Sequence, residues 1–460
     1  MVGPTVASKV WDVYAAAQRI FKSPNDLEVS GVRLNSSLTL CLLGFLTKSA
    51  VLILGSPGSG KTTLAEVLGC MLGGIPFPAL VSTVIRGAPE ATDEKLVGRL
   101  DLGRLQSGEE EVIFSSFTKS PVHIVDELNR IPTIKQAILL EGVRTGKWLY
   151  LGQLLPKGKT PFFATCNFED RGAGTFPLIP ALADRFSVAV ESGYPGLRIA
   201  LEIAATDTEA AIEAAGLCHY AEEAMLLLNS KKYDPQAIVS LSEQFKCHLA
   251  ERGVPTLTEA QLDQAWQEIH AMPFGDGSGV DLSSETGRFL AFLITCLNFC
   301  ARTGAKRGDQ FGETAKTECP TDCRFKVLAC GTVQGGGSRR QERDLVIWSR
   351  ALAWLLGEPR ADAAHVKAVT PYVLWHRRAF SPDLLAKTDL GRRTHPVALE
   401  AAHRWVDRAW REFAELQPRF AELQAQLTAD QITLGRQTAL RIEELHPVLQ
   451  DLARSFGRRR

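Results

Sequence analysis

The chain has 460 residues, enough for roughly three structural units. With 45% hydrophobic and 23% charged residues it has ordinary globular composition, which excludes a disordered or fibrous chain. Lys plus Arg and Asp plus Glu number 52 each, so bulk electrostatic binding to nucleic acid or an anionic membrane has no support, a local patch aside. In chain order, residues 1–35 open helical (KVWDVYAAAQRIF) and then become turn-rich. Lys9 and Asp12 stand where a signal peptide would need its apolar core. Ala50–Leu54 is a short apolar strand, followed by a Gly-rich loop and a helix that runs from Ala65 to the Gly73-Gly74 stop. A second strand is expected over 81–87, a charged, hairpin-like stretch over 88–120, and a third strand over 122–127 that ends in two carboxylates. A helix over 133–142, an alternating hairpin over 146–159 and a fourth strand over 161–167 follow. Strands alternating with helices imply a parallel sheet covered on both faces. From about Gly196 the β signal fades into helices over 200–302. The run RFLAFLITCLNFCAR within them is shorter than the ~20 residues of a membrane span. A cytoplasmic protein with no membrane partner is expected. An irregular insertion over 303–337 and helices over 340–356 and 362–380 complete the middle of the chain. The last seventy residues carry a heptad stripe of Leu399, Val406, Phe413, Phe420 and Leu427, with Leu416 and Leu423 between. It reads as an intramolecular helical hairpin, with Pro418 marking a kink or a fresh start.

The segment Gly55-Ser56-Pro57-Gly58-Ser59-Gly60-Lys61-Thr62, with Thr63 after it, matches G-x-x-x-x-G-K-[ST]. Glycines let successive backbone N–H groups turn inward and cradle phosphates. Lys61 adds a point charge for the β- and γ-phosphates, Thr62 a hydroxyl for Mg²⁺, and the following helix points its positive end at the anion. The third strand, VHIVDE, places Asp126 and Glu127 where parallel strands meet bound nucleotide. Asp126 is expected to hold Mg²⁺, directly or through water, and Glu127 to take the proton of the attacking water.

The segment DELNRIP, followed by a helix, a hairpin, ATCN and ALADRF, resembles an AAA+ ATPase of the MoxR type, in the helix-2-insert branch. The resemblance is strong over 30–195, fair over 255–385 and weak or absent over 1–28, 196–254 and 386–460. It implies an α/β fold: an AAA+ P-loop core with a parallel sheet between helices, a helical lid and a C-terminal helical extension. Domains are expected at 1–35 (N-terminal helical segment), 36–195 (core), 196–254 (helical linker), 255–385 (lid, with the insertion 303–337) and 386–460 (extension). Residue by residue, the resemblance makes Asn167 the polar residue that orients the lytic water. Arg185 becomes the arginine finger that reaches a neighbouring subunit's γ-phosphate. Arg340 becomes the lid arginine that reaches the nucleotide in its own subunit, with Arg339 beside it. The segments 88–113 and 143–159 resemble the branch's two pore hairpins.

Half of the ten cysteines lie within Cys296, Cys300, Cys319, Cys323 and Cys330. Cys296 reads as a core thiol in FLITCLNF. Cys300, Cys319, Cys323 and Cys330 read as a quartet for zinc or an iron–sulfur cluster, with free thiols as the plainer alternative.

The expected function is ATP hydrolysis in a homo-oligomeric, most simply hexameric, ring that remodels or matures a partner protein. The resemblance implies a partner carrying a von Willebrand factor A domain. A nucleotide-gated scaffold and a DNA-directed motor or restriction subunit are the alternatives. The neutral charge and the lack of a DNA-binding module weigh against nucleic acid.

Overall fold

Four of the five residues in Ala50–Leu54 are buried, and so is every residue of Phe162–Cys166. Strands so apolar need cover on both faces, which is the situation inside a parallel sheet. In the computed structural model, which describes residues 5–167, 174–276, 280–301, 305–306, 322–334, 336–386, 397–429 and 446–457, both lie at the centre of such a sheet. Its strands are β1 (Ala50–Leu54), β2 (Ile85–Arg86), β3 (His123–Asp126), β4 (Phe162–Cys166) and β5 (Val188–Glu191). They run parallel in the order β5-β1-β4-β3-β2. The sheet and its helices form the αβα core expected from the sequence.

The first of two compact units comprises Met1–Ala271 with Trp354–Gly357. Helix α1 (Val6–Ile20) opens it, capped by the Thr5 hydroxyl. Helix α2 (Ser36–Leu46) is buried at every position and capped by Asn35, which accepts from Leu38 N at 2.9 Å. A helix apolar all round shows no 3.6-residue stripe, so it leaves no periodic trace in the sequence. Helix α3 (Lys61–Gly73) follows the Gly-rich loop and ends at Gly73-Gly74. Of the strand expected over 81–87, residues 81–83 close helix α4 (Phe77–Thr83), and only Ile85–Arg86 pairs with the sheet. Pro78 fits the first turn of that helix, where its missing N–H costs nothing. Helix α5 (Thr133–Thr145) stands where expected.

Two antiparallel hairpins leave the core. Gly98–Leu100 pairs with Val112–Phe114, and Lys147–Tyr150 pairs with Gln153–Pro156. Leu151 and Gly152, both at positive φ, make the second turn. Gln153 joins the hairpins: its Oε1 accepts from Val112 N at 3.0 Å and its Nε2 donates to Glu110 O at 2.7 Å. Leu149, Leu151 and Leu154 remain exposed beside it.

The second unit comprises Met272–Ala353 with Glu358–Arg460. Its long C-terminal helix, α6 (Val397–Ala429), runs through Pro418 without starting afresh. Leu399, Val406, Phe413 and Phe420 of the heptad stripe are each 2% exposed or less. Phe413 packs against Phe289 and Phe292 of the helix Glu285–Asn298, and Trp405 Nε1 donates to Ala329 O at 2.9 Å. The stripe is therefore spent inside the chain. Among the described residues no single helix is long and apolar enough to cross a membrane.

Of the metal quartet, three cysteines lie among the described residues. Cys319 lies outside the described residues. Cys300, Cys323 and Cys330 do not gather within ligating distance, although tetrahedral thiolate sites require their sulfurs to converge. The Cys330 thiol instead donates to Phe325 O at 3.8 Å. Among the described residues, the one convergence of His and carboxylate ligands is Glu358, Asp362 and His365. There Asp362 and His365 form a capping box on the helix Ala363–Leu374.

Candidate active site

The carboxyl ends of β1, β3 and β4 come out along one edge of the sheet, and register decides what meets there. Cys166 pairs with Leu54, so Asn167 stands beside Gly55. Ala164 pairs with Val125, so Thr165 stands beside Asp126.

The loop from Gly55 to Gly60 needs glycine for two reasons. Gly58 and Gly60 have φ of +74° and +78°, which side-chain-bearing residues seldom adopt. A Cβ on Gly55 would lie 2.1 Å from Ser192 O. Ser192, just past β5, also donates its hydroxyl to Ser59 O at 2.6 Å and its N–H to Leu54 O at 2.7 Å. It anchors the loop from behind.

Lys61 is 6% exposed, and its ammonium turns back onto Gly55 O at 3.0 Å, Ser56 O at 2.7 Å and Asn167 Oδ1 at 2.9 Å. Burial pushes its pKa below the usual lysine value, while Asp126 and Glu127 act in the opposite sense. The Ser59 hydroxyl is buried with no hydrogen-bond partner among the described residues. An anion in the loop would satisfy it and draw Lys61 forward, so the loop fits a phosphate.

Thr62 and Thr165 both donate to Asp126 Oδ1, each at 2.6 Å. Hydroxyl and carboxylate oxygens are hard donors, the set that suits Mg²⁺. Glu127 has a left-handed backbone, φ +51° and ψ +50°. Its N–H donates to Thr165 Oγ1 at 2.9 Å. Its carboxylate accepts from Asn167 Nδ2 at 3.2 Å and pairs with Arg130 at 3.4 Å. Lys61, Thr62, Asp126, Glu127 and Asn167 thus form one connected group.

Two expected residues belong to other elements. Arg185 lies on the amino side of β5, away from this edge, where its charge helps hold the Glu141 carboxyl below the usual range behind the larger effect of Arg144. Arg340 is in the first turn of the helix Arg339–Leu355, in the part that belongs to the second unit.

Several residues of this region carry no motif. A cavity of about 730 Å³ lies between Gln18, Lys22 and Asn25 on one side and Pro195, Leu197 and Glu202 on the other. Phe21, next to Lys22 in the chain, touches the loop: its ring lies 3.3 Å from where a Cβ of Gly60 would be. Ser192, Phe21 and Gly87, whose N–H donates to Asp126 O at 2.8 Å, meet the site only through tertiary contact.

Strand order, phosphate loop and paired carboxylates define a P-loop nucleotide-binding domain. Residues 50–186 match the family model of the AAA domain, dynein-related subfamily, so this part of the chain is an AAA+ ATPase domain. The fold is similar to the crystal structure of a "putative ATPase" from Cytophaga hutchinsonii, at 16% identity and a TM-score of 0.52, over 88% of this chain and 96% of that one. No curated protein matches the chain.

Proposed function

We propose that the protein is a Mg²⁺-dependent ATPase of the MoxR type that works as a ring and spends hydrolysis on a partner protein. The observation that carries the reading is the connected group at the sheet edge, Lys61–Asn167–Glu127 with Asp126–Thr62. In this reading Lys61 gives up the loop carbonyls for the β- and γ-phosphate oxygens. A magnesium ion held by Thr62 and Asp126 would add positive charge there. Glu127 takes a proton from water as the water oxygen bonds to the γ-phosphorus and ADP leaves, while Asn167 keeps the carboxylate directed. In this reading the cavity between Gln18 and Leu197 takes the nucleoside part of ATP. Arg185, away from its own site, serves the next subunit. Arginine fingers are worth about 10³–10⁵ in rate in phosphoryl transfer. The joined hairpins are suited to touch the partner, which the family resemblance assigns to a von Willebrand factor A domain protein.

The test is ATP turnover with and without EDTA, together with binding of a fluorescent ATP analogue. Glu127→Gln should bind and not turn over, and Lys61→Ala should not bind. Arg185→Ala should bind and hydrolyse poorly, and should regain turnover when mixed with Lys61→Ala. Turnover unchanged in Glu127→Gln would remove the proposed base. A monomer fully active on dilution would remove the ring.

A further inference from the structure

We infer that the buried Thr165 hydroxyl is the positioning group that aims the Glu127 carboxylate, working against the bare backbone of Gly87. The inference rests on the ATPase reading and assigns a residue which that reading leaves without a role. Thr165 is 0% exposed. It lies behind the two carboxylates and is not placed to touch nucleotide or water. Its hydroxyl has one proton, and Asp126 Oδ1 takes it at 2.6 Å. The oxygen's lone pairs then face the neighbouring peptide and accept Glu127 N–H at 2.9 Å. One hydroxyl therefore fixes the side chain of Asp126 and the backbone of Glu127 together.

That backbone needs fixing. Glu127 holds φ at +51°, a conformation its Cβ disfavours and which persists only where surroundings enforce it. From the far side, Gly87 N donates to Asp126 O at 2.8 Å. A Cβ on Gly87 would stand 2.0 Å from Glu127 O. The turn is clamped between β4 through a hydroxyl and the exit of β2 through a missing side chain. Without either half, Glu127 relaxes toward ordinary φ, and its carboxylate leaves the place where Asn167 meets it.

The experiment compares full-length wild type with Thr165→Val, Thr165→Ser and Gly87→Ala, measuring kcat and fluorescent-ATP affinity separately. Valine keeps the shape and removes the hydroxyl; serine keeps the hydroxyl. Thr165→Val should lower kcat roughly 10- to 100-fold, the range expected for a lost hydrogen bond near a charged group, with nucleotide affinity retained. Thr165→Ser should restore most of kcat. Near-wild-type kcat in the valine variant, or a serine variant as impaired as valine, overturns the inference. If the valine variant does not fold, Gly87→Ala decides: kcat lost with affinity kept supports the clamp, whereas no loss, or equal loss of both, overturns it. Glu127→Gln keeps the two readings apart, because turnover surviving in that variant sinks the ATPase reading itself.

Discussion

Replacing Glu66 with glutamine should stabilise the nucleotide-free protein above neutral pH and do little near pH 5. Glu66 lies on α3 one turn beyond Thr62 and is 9% exposed. Burial first, and then the negative charge of Asp126, raise its carboxyl from 4.5 to about 7, with Arg86 pulling the other way. The sign follows from proton counts. Below 4.5 the group is protonated in both folded and unfolded chains and costs nothing. Between 4.5 and about 7 the unfolded chain ionises while the folded one keeps its proton, so stability falls as pH rises. Above about 7 both are ionised, and the folded state bears the full difference. At 1.36 kcal/mol per pKa unit this comes to about 3 kcal/mol. Glutamine has no charge to bury, so the gap between variant and wild type should open across that window and then level off. Urea unfolding near pH 5 and near pH 8 measures it. In melting temperature the gap at high pH should be about 6–12 °C, at roughly 2–4 °C per kcal/mol for a unit of this size. A gap that stays flat between the two pH values would refute the assignment of a protonated, buried carboxyl behind the loop.

Ser192→Ala should weaken nucleotide binding roughly two- to tenfold, the worth of one ordinary hydrogen bond, because Ser59 O loses its anchor; unchanged affinity in a titration with fluorescent ATP would show that the loop holds its shape without it. Phe413→Ala should cost about 3–5 kcal/mol in denaturant unfolding of the second unit, since the ring is 1% exposed and sits against Phe289 and Phe292; a cost near zero would show that the stripe is not part of a packed core.

The parts of the molecule legible in its sequence are those whose chemistry demands particular residues at particular spacing. A phosphate cradle needs glycines at left-handed positions, a lysine and a hydroxyl within one loop, so Gly58, Gly60, Lys61 and Thr62 stand out unaided. An apolar strand ending in two carboxylates stands out for the same reason. Helix α2 leaves no such mark, since burial on every side erases its period. The run VSTVI favours a strand by local propensity, yet the chain buries Ala79, Leu80 and Thr83 on one helix and lets only Ile85–Arg86 reach the sheet. Ser192, Gly87 and Phe21 act on residues 39 to 138 positions away, and no local pattern encodes such meetings.

Strand β4 does more for the site than its five residues suggest. It pairs with β1 on one side and β3 on the other, so its register is set twice. That double pairing brings Asn167 to Lys61 and Glu127, and two residues earlier brings Thr165 to Asp126 and Glu127. Side chains alternate along a strand, so a slip of one residue would turn both polar groups away together and bring Ala164 and Cys166 in their place. Pairing on both sides opposes that slip, because the hydrogen bonds to β1 and to β3 would have to break together. The double pairing therefore fixes the alignment of the sheet edge that carries the site. Substitutions that preserve the packing of β4 but alter Thr165 should cost turnover before they cost the fold.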